Sequence, residues 1–385
     1  MDMEYSTEQD LLRDSADRML GQLYTHAPRA TLSPSELHNR RRANWRAYAD
    51  LGLLGLPFSQ DLDGLGGASV DAQIIMETCG KHLAREPYVA CAIQPAAVLN
   101  RSEASPHLQE RVSGIIKGQL VVGFAHDEED SRYGTALPRT TARRHGREVS
   151  LTGRKLIATG GLQPDMVIVS ARLEASDAVA LHLVETGKAG VRLSCIPTFD
   201  GSEWTVIDLD DVIVPANDLL LEGDAALAAI SAAEAEATAA VCGEAVGLMD
   251  AMLWETVSYI KTRSQFGGPL SRFQALQHRS AEMYVALEQA RSMALLAAMR
   301  ASSPDDLDRT RSLSAAKVQI NTSLRFVGQQ AVQLHGGIGV TEECSVGQRF
   351  KRTTMLERMF GDTFHHMNVL DRSGGLEGRL PTTIG

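Results

Sequence analysis

The stretch Tyr259-Ile-Lys-Thr-Arg-Ser-Gln-Phe-Gly-Gly-Pro-Leu-Ser-Arg-Phe-Gln274, with His278 and Met283 beyond it, decides how the rest of this chain is read. A helical run stops in Gly267-Gly268-Pro269, where small and ring-locked residues end a helix and let backbone approach a neighbour closely. Just before the turn, Arg263 offers a rigid fork of donors suited to a pyrophosphate. The plainer reading is a helix cap carrying a surface arginine.

Outward from this stretch, helical periodicity runs from about 223 to 371, with Ala-rich and Leu-rich faces and Ser302-Ser-Pro-Asp-Asp306 marking a helix-to-helix connection. Between about 119 and 222 the text changes to short β-rich runs such as Met166-Val-Ile-Val-Ser170 and Ala178-Val-Ala-Leu-His-Leu-Val184. From about 7 to 118 the spacing is helical again, through Glu8, Leu11 and Leu12 and through Trp45, Tyr48 and Leu51, with a loop at Asp61-Leu-Asp-Gly-Leu-Gly-Gly67. Helices, then strands, then helices exclude a doubly wound α/β fold, in which the two would alternate. The expectation is a mainly α chain with a β domain, divided 1–118, 119–222 and 223–385. There is no internal repeat, and the last dozen residues read as a loose tail.

The 385 residues, 44% apolar and 22% charged, suit a folded chain of two or three sub-regions. A formal net charge of −10 opposes nucleic-acid binding, which depends on basic side chains neutralising phosphates. The acidic N-terminal text Met-Asp-Met-Glu-Tyr-Ser lacks the order of a signal peptide, and no apolar run of about twenty residues marks a membrane span. Cytoplasm is the expected compartment. Cys79, Cys91, Cys195, Cys242 and Cys344 are scattered without metal or redox spacing and read as buried thiols. The common Gly-rich nucleotide loops are missing, so any nucleotide cofactor is held by other chemistry.

Two further segments stand beside the first: Gln333-Leu-His-Gly-Gly-Ile-Gly-Val-Thr-Glu-Glu343, and Phe350-Lys-Arg352 leading to Phe360-Gly-Asp-Thr363. Together the three resemble the signature segments of the acyl-CoA dehydrogenase family. Similar text recurs at Leu51-Gly-Leu-Leu-Gly-Leu-Pro57, Gly64-Leu-Gly-Gly67 and Leu151-Thr-Gly-Arg-Lys155, so the resemblance covers nearly the whole chain. It implies an N-terminal helical domain, a β-barrel-like middle domain and a C-terminal four-helix bundle. It also implies FAD as cofactor, an acyl-CoA substrate, and an electron-transfer flavoprotein or similar acceptor. The Phe-Gly-Asp…His-His ending and Ala240-Val-Cys-Gly-Glu-Ala-Val-Gly247 are similar to the smaller subunits of paired bacterial members, the pimeloyl-CoA dehydrogenase small subunits included. A homodimer, a homotetramer or a heterotetramer with a larger paralogue follows from that likeness. The alternatives are an FAD-completing, non-catalytic subunit and a related flavin oxidase or monooxygenase.

By the same resemblance, Arg263 reaches the FAD of a neighbouring subunit, Gln265 and Phe266 line it, and Leu270, Phe273 and Gln274 surround the adenosine end. Gln333, Gly336 and Gly337 form a second contact, where bare backbone lets the ADP part lie close; the alternative is a Schellman-type helix end. Thr363 falls near the phosphates, and His365 where a glutamine often sits. The middle region departs from the family pattern: Asp127-Glu128-Glu129 and Leu156-Ile157-Ala158 stand where Thr-Glu-Pro and Trp-Ile-Thr are usual. Phe124, His126, Asp127, Leu156 and Ala158 are the candidates beside the flavin ring.

The reaction so implied removes a Cα proton and passes a Cβ hydride to flavin N5, and a carbon acid this weak needs a dry, close carboxylate. Both of the family's usual seats lack one, being Gly361 and Ala237 here. Glu244 shares helical spacing with 237, 241 and 248, and an acid on that apolar stripe should have a raised pKa. It is the first candidate base, with pairing to an arginine of a neighbouring helix as the alternative. Asp362 is second and Glu236 third.

Overall fold

A computed structural model of the chain describes residues 5–24, 33–129, 131, 133, 137–341 and 343–374. The loose-tail expectation beyond 374, and the first four residues of the N-terminal text, lie outside the described residues. Among the described residues five α-helices come first: α1 (Thr7–Leu23), α2 (Pro34–Asp50), α3 (Ser69–His82), α4 (Gln94–Leu99) and α5 (Pro106–Ile116). Eight strands follow among the described residues: β1 (Val122–Ala125), β2 (Thr141–His145), β3 (Glu148–Ile157), β4 (Met166–Leu173), β5 (Val179–Glu185), β6 (Val191–Pro197), β7 (Glu203–Pro215) and β8 (Leu219–Glu222). Then come α6 (Asp224–Thr262), a hairpin of β9 (Ser264–Gln265) and β10 (Gly268–Pro269), α7 (Gln274–Ala301), α8 (Asp306–His335), α9 (Ser345–Leu356) and α10 (Thr363–Arg372).

The helix starts follow from local chemistry. Ser33 and Glu36 exchange bonds in a capping box before α2, Ser105 caps α5 ahead of its Pro106, and the Asp305 carboxylate accepts from the N–H groups of Leu307 and Asp308 to open α8. Each cap supplies partners for amides that would otherwise be unpaired at a helix start.

By its contacts the chain forms two compact units. One, the sheet unit, comprises Asp14–Ala72 and Arg85–Ala237. The other, the bundle unit, comprises Met1–Arg13, Gln73–Ala84 and Thr238–Gly385.

In the sheet unit the strands run in the order β6-β7-β3-β2-β4-β5-β8, and β1 pairs parallel with the first half of β4 from Val122↔Met166 to Ala125↔Val169. Its core gathers Phe58 from the turns after α2, Val98, Leu99, Val112 and Ile115 from α4 and α5, Val122, Phe124, Met166, Ile168 and Leu181 from the strands, and Ala226, Ala229, Ile230 and Ala233 from the start of α6. Those last four positions recur at i, i+3, i+4 and i+7, one face of a helix laid on the sheet. Each large side chain so buried contributes about 1.5–3 kcal/mol. Trp45 and Tyr48 are fully buried as the spacing predicts, but Leu11 is 62% exposed, and Ala16 and Leu20 are the buried residues of α1 instead.

In the bundle unit, α3 and α6 approach backbone to backbone. A Cβ added at Gly247 would lie 1.8 Å from the Glu77 carbonyl oxygen, and one at Gly80 would lie 2.1 Å from that of Glu244. Gly243 is nearly as tight against Gln73. On α8, fully buried Lys317 donates to the Leu356 carbonyl and Asn321 to that of Glu357, satisfying the carbonyls left over where α9 ends. Burial pushes the Lys317 ammonium down to about 8.

Two composition readings are corrected. Helix α6 is, by length and composition, long and apolar enough to cross a membrane, with 67% of its apolar window buried inside the protein. Among the thiols, Cys195 is exposed and Cys344 half-buried, because the first sits on edge strand β6; Cys79, Cys91 and Cys242 are buried.

Candidate active site

Where β1 ends, the sheet unit collects ionisable side chains. Phe124 belongs to the core, and His126 stacks on it with ring centroids 5.9 Å apart. The Leu156 N–H donates to the Asp127 carbonyl at 2.9 Å, which ties the exit of β1 to the end of β3 and sets Asp127 beside Leu156, with Ala158 two residues further along the chain. The middle-region candidates chosen from the sequence therefore share one place.

Lys155, which the sequence reading did not single out, organises this place. Its side chain is fully buried and donates to Glu128 Oε1 at 2.7 Å, to Ser170 Oγ at 3.0 Å and to the His126 carbonyl at 3.1 Å. Burial lowers its pKa to about 8 although Glu128 and Asp127 oppose the shift. Glu128 is raised by its own burial, but Lys155 and the Thr140 donors outweigh this and bring it to about 2. The signal was available: Val149, Leu151, Lys155 and Ile157 fall on the inward period of β3, and a lysine there needs partners.

Glu234 of α6 was also missed. Its Oε1 lies 3.9 Å from His126 Nε2, and its side chain is 29% exposed against 9% for the histidine. Burial, with the like charge of Asp127 beside it, raises Glu234 to about 7. Burial also raises Asp127, against the pull of Lys155. Burial and the Lys155 charge push His126 down to about 4, so the imidazole is neutral at pH 7. The stripe read from the sequence at 237, 241, 244 and 248 extends one turn back to 234, which is where the signal lay.

Of the candidate bases, Glu244 is 3% exposed between buried Val241 and Leu248, as its spacing predicts. Its carboxylate is already engaged: Arg352 Nε donates to Oε1 at 2.6 Å and Nη2 to Oε2 at 2.9 Å. The arginine-paired alternative is the observed one. Asp362 does not swing toward the neighbouring seat, because its carboxylate accepts the His365 N–H at 2.8 Å and caps α10. Glu236 accepts from Ser69 Oγ at 2.9 Å.

The Gly361 seat is closed to a side chain. Its φ is +106°, and an added Cβ would lie 2.4 Å from Nε2 of His366, a ring bonded to Ser314 Oγ and the Phe360 carbonyl. Gly361→Glu is therefore expected to cost on the order of 1–3 kcal/mol of stability and to give no gain in flavin reduction, read by chemical denaturation and by anaerobic stopped flow.

The remaining candidates lie in the bundle unit. Residues 264–269 form a two-stranded hairpin rather than a simple helix-ending turn, since Phe266 and Gly267 both have positive φ (+53° and +82°) and Gln265 pairs with Gly268. Phe266 is 81% exposed and meets Phe273 edge to face, while the Leu270 N–H donates to the Arg263 carbonyl. Gly336 ends α8 at φ 63°, ψ −144°, near a region that only glycine enters freely, instead of in a left-handed Schellman cap. A Cβ at Gly336 or Gly337 would meet nothing within 4 Å. Tyr259, one turn before Arg263, stacks on His335 at 4.4 Å, so the hairpin and the glycine end of α8 are neighbours.

Thr363 and His365 lie elsewhere. Their helix packs on the start of α8 through His366 and Ser314, 22 residues before Gly336, or about 33 Å at the helical rise.

Residues 6–100 match the family model described as acyl-CoA dehydrogenase, N-terminal domain, and residues 228–374 that of acyl-CoA dehydrogenase, C-terminal domain. The chain is 27% identical to acyl-CoA dehydrogenase FadE12 of Mycobacterium tuberculosis, over 82% of this chain and 83% of the relative. Its fold is similar to that in the ChsE4-ChsE5 complex from the same organism, with a TM-score of 0.80 at 21% identity over 99% of this chain and 100% of the other. It is also similar to a glutaryl-CoA dehydrogenase from Mycobacterium smegmatis in complex with FADH2, with a TM-score of 0.79 at 20% identity over 98% and 97%.

Proposed function

The chain belongs to the acyl-CoA dehydrogenase family, and from that premise we propose that it desaturates an acyl-CoA thioester between Cα and Cβ, as an FAD-dependent oxidoreductase. The observation that carries this is the state of the cofactor segments. Arg263, Gln265, Gln274 and Gln333 are exposed, and their side chains have no protein partner among the described residues. Beside them Gly336 and Gly337 leave open space. A guanidinium fork, side-chain amides and bare backbone form a donor set suited to a pyrophosphate and an adenosine. FAD, when bound, supplies the acceptor for the hydride that leaves Cβ.

Arg263, Gln265, Phe266, Leu270, Phe273 and Gln274 would hold one part of the cofactor together with Gln333, Gly336 and Gly337. Thr363 and His365 would hold another, with Phe124, His126, Asp127, Leu156 and Ala158 toward the ring. The separation of about 33 Å along α8 between the Gly336 and Thr363 groups supports a cofactor shared between two chains, so the active form is an oligomer. The partner is a second copy or a larger paralogue, a choice kept open by the paired architecture of the ChsE4-ChsE5 complex. The three-part division 1–118, 119–222 and 223–385, an electron-transfer flavoprotein as acceptor and a cytoplasmic location complete the proposal.

Anaerobic titration tests it: a purified yellow protein bleached by an acyl-CoA supports the reading. A colourless protein points to an FAD-completing subunit, and a yellow one indifferent to acyl-CoA to a flavin oxidase or monooxygenase. Arg263→Ala is expected to lower flavin occupancy at least tenfold, about the worth of one charge-assisted hydrogen bond, with the helical far-UV spectrum unchanged. Full occupancy in a strictly monomeric protein would refute the shared cofactor.

A further inference from the structure

We propose that Lys155 is the positioning residue of the candidate flavin face: from inside the sheet unit it fixes the backbone of residues 126–128 on which the cofactor ring is to rest. The inference rests on the dehydrogenase reading above and deepens it. It names the group that sets the middle-region candidates in place without touching the cofactor, since Lys155 is 0% exposed.

An ammonium carries three N–H donors, and Lys155 gives each to a separate acceptor: the His126 carbonyl, Glu128 Oε1 and Ser170 Oγ. Beside it the Leu156 N–H holds the Asp127 carbonyl, and Ser131 Oγ accepts the Glu128 N–H at 2.9 Å. In a trans peptide the N–H points opposite to the carbonyl of the same plane, so the Asp127 N–H is directed away from the buried ammonium. Among the described residues it meets no acceptor. The fixed turn therefore keeps one backbone donor available.

The lysine is itself held on several sides. Glu128 Oε1 also accepts from Thr140 Oγ1 at 2.7 Å and from the Thr140 N–H at 3.0 Å, and its Oε2 accepts the Arg139 N–H at 2.8 Å. At the bulge in β3 a Cβ added to Gly153 would lie 2.4 Å from Thr140 Oγ1, so bare backbone makes room for the threonine that fixes Glu128. Ser170 Oγ, accepting from Lys155, is left to give its proton to His126 Nδ1, 2.9 Å away, which sets the imidazole as well.

Glu128 and Asp127 hold the proton on Lys155 against its burial, and the balance stands at about 8. The other titratable groups of this place are His126, neutral at pH 7, and Glu234 of α6 beyond the histidine. A neutral amine has only two N–H donors, so one of the three acceptors is released as pH rises through about 8. FAD affinity is therefore expected to be full below that pH and to weaken above it.

The test titrates the purified, flavin-stripped protein with FAD from about pH 6 to about pH 10, either side of the lysine's pKa of about 8. Affinity is read from flavin fluorescence, and the surroundings of the ring from the visible absorption band. Lys155→Met is expected to weaken FAD about tenfold, to shift the visible band and to lose the pH step, with the far-UV spectrum unchanged. In Glu128→Gln the step should persist at a lower pH, because the acid that holds the lysine's proton is gone; this variant decides the matter if Lys155→Met does not fold. Glu234→Gln, and Lys317→Met at the second buried lysine of pKa about 8, should leave the midpoint where it is. The assignment is overturned if wild type shows no step, if Lys155→Met keeps the step or the wild-type affinity and spectrum, or if the step stays at the same pH in Glu128→Gln. The dehydrogenase reading, tested by bleaching with acyl-CoA, survives each of these results. A wild type that binds no FAD over the whole range overturns that reading and the assignment together.

Discussion

Glu244→Gln and Arg352→Met, made singly, are each expected to cost about 3–5 kcal/mol, because each leaves its partner buried and without its counter-charge. The pair is bidentate, with Glu244 3% exposed, so solvent screens little of the loss. Replacing both partners with apolar residues of similar volume should recover most of it, since the cost of burying two charges vanishes along with their attraction. Urea denaturation of the two single variants and the double variant measures this directly. A Glu244→Gln protein that unfolds like wild type but has lost flavin reduction would return Glu244 to the role of base.

Gly247→Ala is expected to destabilise the bundle unit by about 3 kcal/mol or more, with Gly80→Ala close behind. On helix propensity alone the sign would be opposite, since alanine is favoured over glycine in a helix by about 1 kcal/mol. Packing wins because the new Cβ would lie 1.8 Å from the Glu77 carbonyl oxygen, backbone that cannot turn aside, so α3 and α6 must separate. Equilibrium unfolding of Gly247→Ala in denaturant decides the matter: a more stable variant would mean that the two helices are not in backbone contact.

Much of this protein could be read before any coordinates. The change of periodicity near 119 and 223 marked where helices give way to strands and return, because period 2 and period 3.6 are local properties of the chain. Gly243 and Gly247 were legible as a small-residue face, and Gln333 through Gly337 as a glycine helix end. The spacing of 241, 244 and 248 placed Glu244 on a buried stripe, and there it lies.

Which partner a buried charge finds is a different kind of fact. Arg352 reaches Glu244 across 108 residues of sequence, and Lys155 meets Ser170 and Glu128 from opposite directions along the chain. No period encodes such a meeting, so the same stripe that identified Glu244 as buried was silent on whether its carboxylate was free. Sequence alone determined the class of elements, their order and the residues with chemistry to offer. The tertiary structure decided which of those residues are spent on the fold and which carboxylates, Glu234 among them, are shifted toward neutrality, because desolvation and charge pairing act through space between segments that only folding brings together.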